Sequence, residues 1–342
     1  MALPWRGENP RCSKESINSR VVEISTDKSN QQGCRACGKK LASKRYVVRE
    51  RQLGIGGDFE YGECQGCGSL SIVEVPTDLE RYYGRSYYSF VSGTPIEPTG
   101  WRRVESKVRK ELSTELRLDR IARKVWRRLG LSHDARILDV GCGSGKWLQQ
   151  LHVAGYGNLC GIDAFLAPEL ERTEPFRIGR KSIEEMDGGW DLIAYHHVLE
   201  HVIDPVREIA AARKRLRPGG VLLVRVPVAD CWARRRFGTC WLQWDAPRHL
   251  WLPTRRALHR LASKHQFSIE YKADDSVAFS IWASQGYAKG FSGFDHGCNP
   301  SRGTLKTYLP NLPVVLWQWV FSAWLNITGQ GDQVTMIWRK PS

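Results

Sequence analysis

The sequence predicts an α/β protein, a mostly parallel sheet preceded by a small cysteine-bearing module. Three observations lead there. From Arg136 onward, short apolar runs alternate with amphipathic segments, the order that builds a parallel sheet. The first run ends in an acid and three alternating glycines, Asp139-Val140-Gly141-Cys142-Gly143-Ser144-Gly145. Glycines so placed let a chain turn sharply after a buried strand and pass close to a ligand. Upstream, Cys34-Arg35-Ala36-Cys37-Gly38 and Cys64-Gln65-Gly66-Cys67-Gly68 have the spacing of metal knuckles.

The elements follow in order. Residues 1–30 are polar and aperiodic, and are expected to be disordered. Residues 31–78 hold the cysteine pairs with β-type sequence such as Lys44–Val48 and Ser69–Val73. Residues 79–130 read as a linker rich in Tyr, Ser, Gly and Pro, then basic helices from Trp101 to Leu129 with Val104, Val108, Leu112, Leu116, Leu118, Ile121 and Val125 on the apolar face. Residues 131–342 form the main domain. Its strands are expected at Arg136–Val140, Asn158–Ile162, Phe176–Ile178, Trp190–Tyr195 and Val221–Val226, with a last pair at Phe267–Tyr271 and Val334–Trp338. Helices are expected at Lys146–Ala154, from the Asp204-Pro205 start to about Leu216, and at Thr254–His265. Residues 276–330 read as an insertion between the last two strands.

Composition narrows the function. The 342 residues carry a net charge of +15, so an anionic or phosphorylated partner fits as well as a solvated basic surface does. No apolar run is long enough to span a bilayer, and the first residues lack the apolar core of an export signal. A cytoplasmic location is expected. Ten cysteines, four of them in C-x-x-C pairs, then point to metal and not to disulfides.

The glycine turn does not suit NAD. A dinucleotide turn wants G-x-G-x-x-G, and here the third glycine falls one position early, with Lys146 in its place. Asp163 follows the second strand, 18 residues after Gly145. A carboxylate there can accept both hydroxyls of a ribose, and it would equally cap a helix.

At these residues the sequence resembles class I S-adenosylmethionine-dependent methyltransferases. Asp139–Gly145 is similar to the family's first motif and Gly161-Ile162-Asp163 to its second. Trp190–His201, with its Val198-Leu199-Glu200-His201 extension, is similar to the fourth-strand motif, and Leu216-Arg217-Pro218-Gly219-Gly220 to the turn before strand five. The resemblance covers about residues 120–275 and the last strand. It implies a Rossmann-like, seven-stranded, mostly parallel sheet that binds S-adenosyl-L-methionine. It implies that Gly141, Gly143 and Gly145 pass beside the methionine part of the cofactor and that Asp139 holds its amino group. Asp163 would take the ribose, and Tyr195 and His196 would line the floor near the sulfonium. Where relatives carry Gly-Asp-Leu this chain has Gly179-Arg180-Lys181-Ser182-Ile183, so Ser182 is the candidate for the adenine contact.

Cys34, Cys37, Cys64 and Cys67 are expected to hold a structural Zn2+, because two such knuckles close a tetrahedron with no open position. A zinc-ribbon-like module, then Tyr82–Ser89, then the methyltransferase core resembles a bacterial subgroup linked to sugar, polysaccharide or lipid-linked saccharide modification. Transfer to a hydroxyl needs a proton acceptor; His196, His197, His201 and His249 are the candidates, and His249, in Trp244-Asp245-Ala246-Pro247-Arg248-His249-Leu250, is favoured, with Asp245 or Arg248 positioning it, although it would equally serve to cap a loop. Arg234–Arg236 is a candidate anion contact; Trp232, Trp241, Trp244 and Trp251 are candidate sugar-stacking residues. The apolar segment Leu312–Leu325 reads as a lid over the substrate or a peripheral contact with the inner face of a membrane.

The expected partner is a small-molecule or saccharide acceptor. The competing readings are an RNA methyltransferase that uses the zinc module and basic surface, and a non-catalytic zinc-ribbon binding protein. Nucleic acid is the less favoured partner, because Tyr195-His196-His197-Val198 stands where a base-methylating tetrad would be. The intact turn and Asp163 weigh against the non-catalytic reading.

Overall fold

The computed structural model describes residues 21–22, 33–83, 129–291 and 312–342. The expected disorder before residue 31, apart from Val21 and Val22, the tyrosine-rich stretch after Tyr83 and the basic helices before Leu129 lie outside these residues. Two sheets organise the rest. The first is antiparallel and runs, in spatial order, β1 (Val21–Val22), β2 (Leu41–Arg49), β3 (Asp58–Cys64), β4 (Leu70–Ile72) and β10 (Trp251–Leu252). The second has seven strands in the order β11 (Ser268–Asp274), β12 (Gln333–Arg339), β9 (Leu216–Pro227), β8 (Trp190–His196), β5 (Ile137–Val140), β6 (Leu159–Ile162) and β7 (Arg177–Gly179). Strands β7, β6, β5, β8 and β9 are mutually parallel; β12 is antiparallel to both its neighbours.

Local chemistry explains the joints. Helix α1 (Lys146–Val153) leaves the glycine turn. Helix α2 (Pro205–Arg215) starts at the Asp204 carboxylate, which accepts from the amides of Val206 and Arg207, and carries Arg213, Lys214 and Arg215 in its last turn, where they complement the helix dipole. Helix α3 (Trp232–Phe237) follows β9, and α4 (Arg255–Lys264) is capped by the Thr254 hydroxyl. Between β11 and β12 run α5 (Ala278–Ala288) and α6 (Leu312–Ile327).

Side chains alternate across the large sheet. Leu138, Val140, Ile193, Tyr195, Leu222 and Val224 face α2 and α4, while Ile137, Leu192, Ala194 and Leu223 face α1. The strand order reverses at β5, which has β6 on one side and β8 on the other, so a ligand crevice opens at the carboxyl ends of those strands. Among the described residues no helix is long and apolar enough to cross a membrane.

The cysteine-bearing sheet is not a separate bead. Its last strand, β10, comes from the main domain and pairs Trp251 with Ser71 and Leu252 with Leu70. Val48, Tyr61, Leu70 and Ile72 share one buried cluster with Trp241, Trp244, Leu250 and Leu252. The Tyr61 hydroxyl donates to the His249 carbonyl at 2.9 Å, and Thr254 Oγ1 donates to the Cys67 carbonyl at 2.6 Å. Because the main domain supplies the last strand of the cysteine-bearing sheet and Cys34, Cys64 and Cys67 share a buried cluster with the large sheet, the protein should unfold in one cooperative transition. Coincident urea curves by tryptophan fluorescence and far-UV circular dichroism are the expected result; an early separate transition of the cysteine sheet would contradict it.

Candidate functional site

Strand β5 delivers Asp139 to the turn, where Gly141, Gly143 and Gly145 have φ of 69°, 51° and 74°. Such angles favour glycine, and space enforces it: a methyl on Gly141 would lie 2.3 Å from Val198 Cγ2, and one on Gly145 would lie 2.3 Å from Ile178 Cδ1. The turn is thus held between the residues that follow β8 and those of β7.

Two carboxylates face this turn. Asp139 is 3 % exposed, and its Oδ1 is buried with no hydrogen-bond partner. Burial, and then the charge of Asp163, push the Asp139 pKa well above the usual carboxylate range. Asp163 accepts from the amides of Gly143 at 3.1 Å and Phe165 at 2.9 Å, yet burial still raises its pKa. A cationic or hydroxyl-bearing ligand is what this pair lacks.

The other expected cofactor residues are placed differently. His196 ends β8 with its ring 4.5 Å from that of Trp147 in α1; its Nε2 is shielded without a partner, and burial followed by Arg225 pushes its pKa down to about 3. Tyr195 faces α2 and donates its hydroxyl to Glu208 at 3.0 Å. Ser182 caps the short turn Ile183–Glu185 and donates its hydroxyl to Glu185 at 2.8 Å. The structure therefore gathers Asp139, Gly141, Gly143, Gly145 and Asp163 at one turn. The Tyr195 and Ser182 hydroxyls already have protein partners.

A second group lies beyond β8 and β9. Arg248 is fully buried and pairs with Asp245 and Glu50, the latter at 3.4 Å. Burial works to raise the Asp245 pKa, but the Arg248 guanidinium beside it holds the carboxyl below its usual range. His249, 4 % exposed, directs Nδ1 to the Gln243 carbonyl at 2.7 Å; its Nε2 lies 3.8 Å from Asp245 Oδ2 and 3.9 Å from Glu200 Oε1. The His201 and His249 ring centroids are 4.7 Å apart, and burial, then His249, lower the His201 pKa to about 4.

Two participants escaped the sequence reading. Glu200 is fully buried, and its only signal was an acid inside the apolar run Val198–Val202. Tyr83 falls in the stretch expected to be a linker, and in the structure Leu79–Tyr83 is a 3-10 turn whose Tyr82 is buried against Phe59. The Tyr83 ring stacks on Phe165 at 5.0 Å, and its hydroxyl meets His201 Nδ1 at 3.0 Å. Three expected stacking tryptophans are also otherwise engaged. Trp241, Trp244 and Trp251 are buried and donate their indole N–H to Asp332, Gly238 and Leu199. Arg234, offered as an anion contact, pairs with Glu63 at 2.6 Å.

The four knuckle cysteines converge. Their sulfurs lie within 4.8 Å of one another, with Cys34–Cys67 and Cys37–Cys64 each at 3.5 Å. The amides of Gly66 and Cys67 donate to Cys64 Sγ at 3.3 and 3.4 Å. Four thiolates about 2.3 Å from one ion sit about 3.8 Å apart, so the arrangement fits a tetrahedral metal of zinc type.

Residues 110–272 match the family model described as a methyltransferase domain. The chain is 34% identical over 110 residues to a trans-aconitate 2-methyltransferase of Deinococcus radiodurans, covering 31% of this chain and 43% of that protein. It is 36% identical over 116 residues to a ubiquinone biosynthesis O-methyltransferase of Aromatoleum aromaticum, covering 31% and 47%. It is 34% identical over 120 residues to a tRNA U34 carboxymethyltransferase of Azotobacter vinelandii, covering 31% and 37%. The chain spans less than half the length of each of these curated relatives. Residues 110–272 are thus similar to a methyltransferase domain, and the relatives differ in acceptor.

The buried Asp139 gives a stability test. Its folded-state pKa lies above the unfolded value, so the folded chain holds the proton more tightly. This contribution is present at low pH and is lost as pH rises through the folded pKa. In the ligand-free protein Asp139→Asn should therefore melt higher than wild type at pH 7, with the difference shrinking towards pH 4. An equal or lower melting temperature at pH 7 would show that the carboxylate is not strained.

Proposed function

We propose that this protein transfers the methyl group of S-adenosylmethionine to a hydroxyl of a sugar, a polysaccharide or a lipid-linked saccharide. The observation that carries the cofactor half is the unpartnered Asp139 carboxylate beside a turn that only glycine can make. A buried acceptor with no donor is costly, and an ammonium group removes that cost. In this reading Asp139 takes the amino group of the methionine part, Gly141, Gly143 and Gly145 allow its close approach, and Asp163 accepts the ribose hydroxyls. His196, kept neutral by burial, lines the floor on the α1 face, the opposite face from Tyr195, and Ser182 stands on the adenine side. The bound cofactor supplies an electrophilic methyl group.

The protein's part is alignment and proton handling. In-line displacement gains most from holding the nucleophile against the methyl group in a dry site. The group around His249 lies beside the turn, because Val198, which packs on Gly141, leads directly into Leu199–His201. The proton of the acceptor hydroxyl leaves towards His249 Nε2 and the carboxylates around it. The Cys34, Cys37, Cys64 and Cys67 site holds a structural Zn2+ that keeps β3 and β4, and through Tyr61 the His249 loop, in place. The saccharide acceptor is supported by the order of cysteine module, tyrosine segment and core.

Two variants test this reading. Asp163→Ala should abolish binding of S-adenosylmethionine measured by calorimetry, and retained affinity would overturn the ribose assignment. His249→Ala should leave that affinity unchanged and slow methyl transfer to saccharide acceptors by about 10²–10⁴-fold. Wild-type turnover would remove His249 from the reaction.

A further inference from the structure

Glu200 poses a problem that the reading so far does not solve. It is fully buried, and neither carboxylate oxygen has a hydrogen-bond partner. The ring nitrogens facing it stand off at 3.5 Å for His197 Nδ1 and 3.9 Å for His249 Nε2. Arg248 does not neutralise it, because its guanidinium is held between Glu50 and Asp245. Burial works to raise the Glu200 pKa, but the facing imidazoles of His197, His201 and His249 hold it below the usual range, so a charged carboxylate is kept in a buried site with only imidazoles around it.

We propose that Glu200, His201 and His249 bind a divalent first-row transition cation at a site separate from the four cysteines. Three observations fit together. One ligand atom from each residue lies within 4.8 Å of the others. The 3.9 Å between Glu200 Oε1 and His249 Nε2 is within the span of about 4.2 Å that one ion with bonds of about 2.1 Å can bridge. The imidazoles are also set up as ligands. His249 Nδ1 faces the Gln243 carbonyl at 2.7 Å and His201 Nδ1 faces the Arg248 carbonyl at 2.9 Å. A carbonyl only accepts, so each Nδ1 carries a proton, and Nε2 is the ring nitrogen left to face a ligand. A backbone carbonyl on the far ring nitrogen is the usual support of a metal-binding histidine. His249 Nε2 faces two carboxylates, surroundings that attract a cation.

Two imidazoles and one carboxylate suit zinc, cobalt, iron or manganese better than magnesium or calcium. Three protein ligands leave positions open, whereas the four-cysteine site is closed. The role of the cation rests on the methyltransferase reading. Beside the glycine turn it would bind the acceptor oxygen and favour loss of its proton to solvent. With the cation bound, His249 Nε2 is occupied as a ligand, so the acceptor proton goes to solvent in place of His249, and loss of His249 slows transfer by releasing the cation.

Cobalt titrated into the zinc-loaded full chain, followed by visible absorption, tests the site. The expected result is one Co2+ per chain with ligand-field bands and without the charge-transfer absorption of thiolate ligands. Glu200→Gln and His201→Gln should each weaken Co2+ binding at least about tenfold while S-adenosylmethionine still binds. No Co2+ binding by the wild-type chain would overturn the proposal, and so would thiolate-type spectra or undiminished binding by folded Glu200→Gln. The wild-type titration decides even where a variant does not fold. Cobalt binding without S-adenosylmethionine binding would uphold the cation site and sink the methyltransferase reading; the reverse would do the opposite.

Discussion

The buried guanidinium of Arg248 is the constraint on which the arrangement depends. It meets Asp245 three residues back in its own loop, Glu50 in the turn after β2, and the Tyr82 carbonyl at 3.3 Å. Glu50 in turn accepts from the amides of Leu53, Ile55 and Gly56, which fixes its own loop. One cation therefore ties the cysteine-bearing sheet, the turn at Tyr82 and the loop that carries His249. Breaking such a pair leaves buried charge uncompensated, on the order of 3–5 kcal/mol, a large part of the stability of an ordinary domain. The metal knuckles thus act on the site through the backbone: Tyr61 in β3 bonds the His249 carbonyl, and Thr254 ties the start of α4 to Cys67.

The glycine turn works on the opposite principle. There the fold leaves polar atoms unsatisfied. The charge of Asp163 adds to the cost of ionising Asp139, and the glycine turn keeps the crevice free of side chains that would fill it. A site of this kind trades stability of the empty protein for affinity, as expected where a ligand completes the hydrogen bonding. The acceptor side presents the same signature in Glu200, whose oxygens also lack donors.

The main sheet was largely legible in the sequence, because its strands are buried on both faces and so read as continuous apolar runs. Val221–Val226 and Trp190–Tyr195 are of this type. The helix ends were legible where their chemistry is local, as at Asp204-Pro205 and Thr254. The glycine turn was legible because its glycines answer to backbone angle and space. The acceptor side was not, because its contacts span long separations: Arg248 meets Glu50 across 198 residues and Tyr61 meets the His249 carbonyl across 188. Short-range pattern holds no trace of such pairs. The same limit explains Trp241, Trp244 and Trp251, which a sequence rich in tryptophan offered as sugar platforms and which the structure spends on the core. Tyr83 was lost among the linker tyrosines, although its ring stacks on Phe165, two residues past Asp163.

The central claim is that the turn at Asp139–Gly145, with Asp163, seats S-adenosylmethionine in this chain. Calorimetric titration of S-adenosylmethionine into the full wild-type protein tests it most directly. The account predicts saturable binding at one site per chain. Absence of binding in a folded, zinc-loaded sample would contradict it.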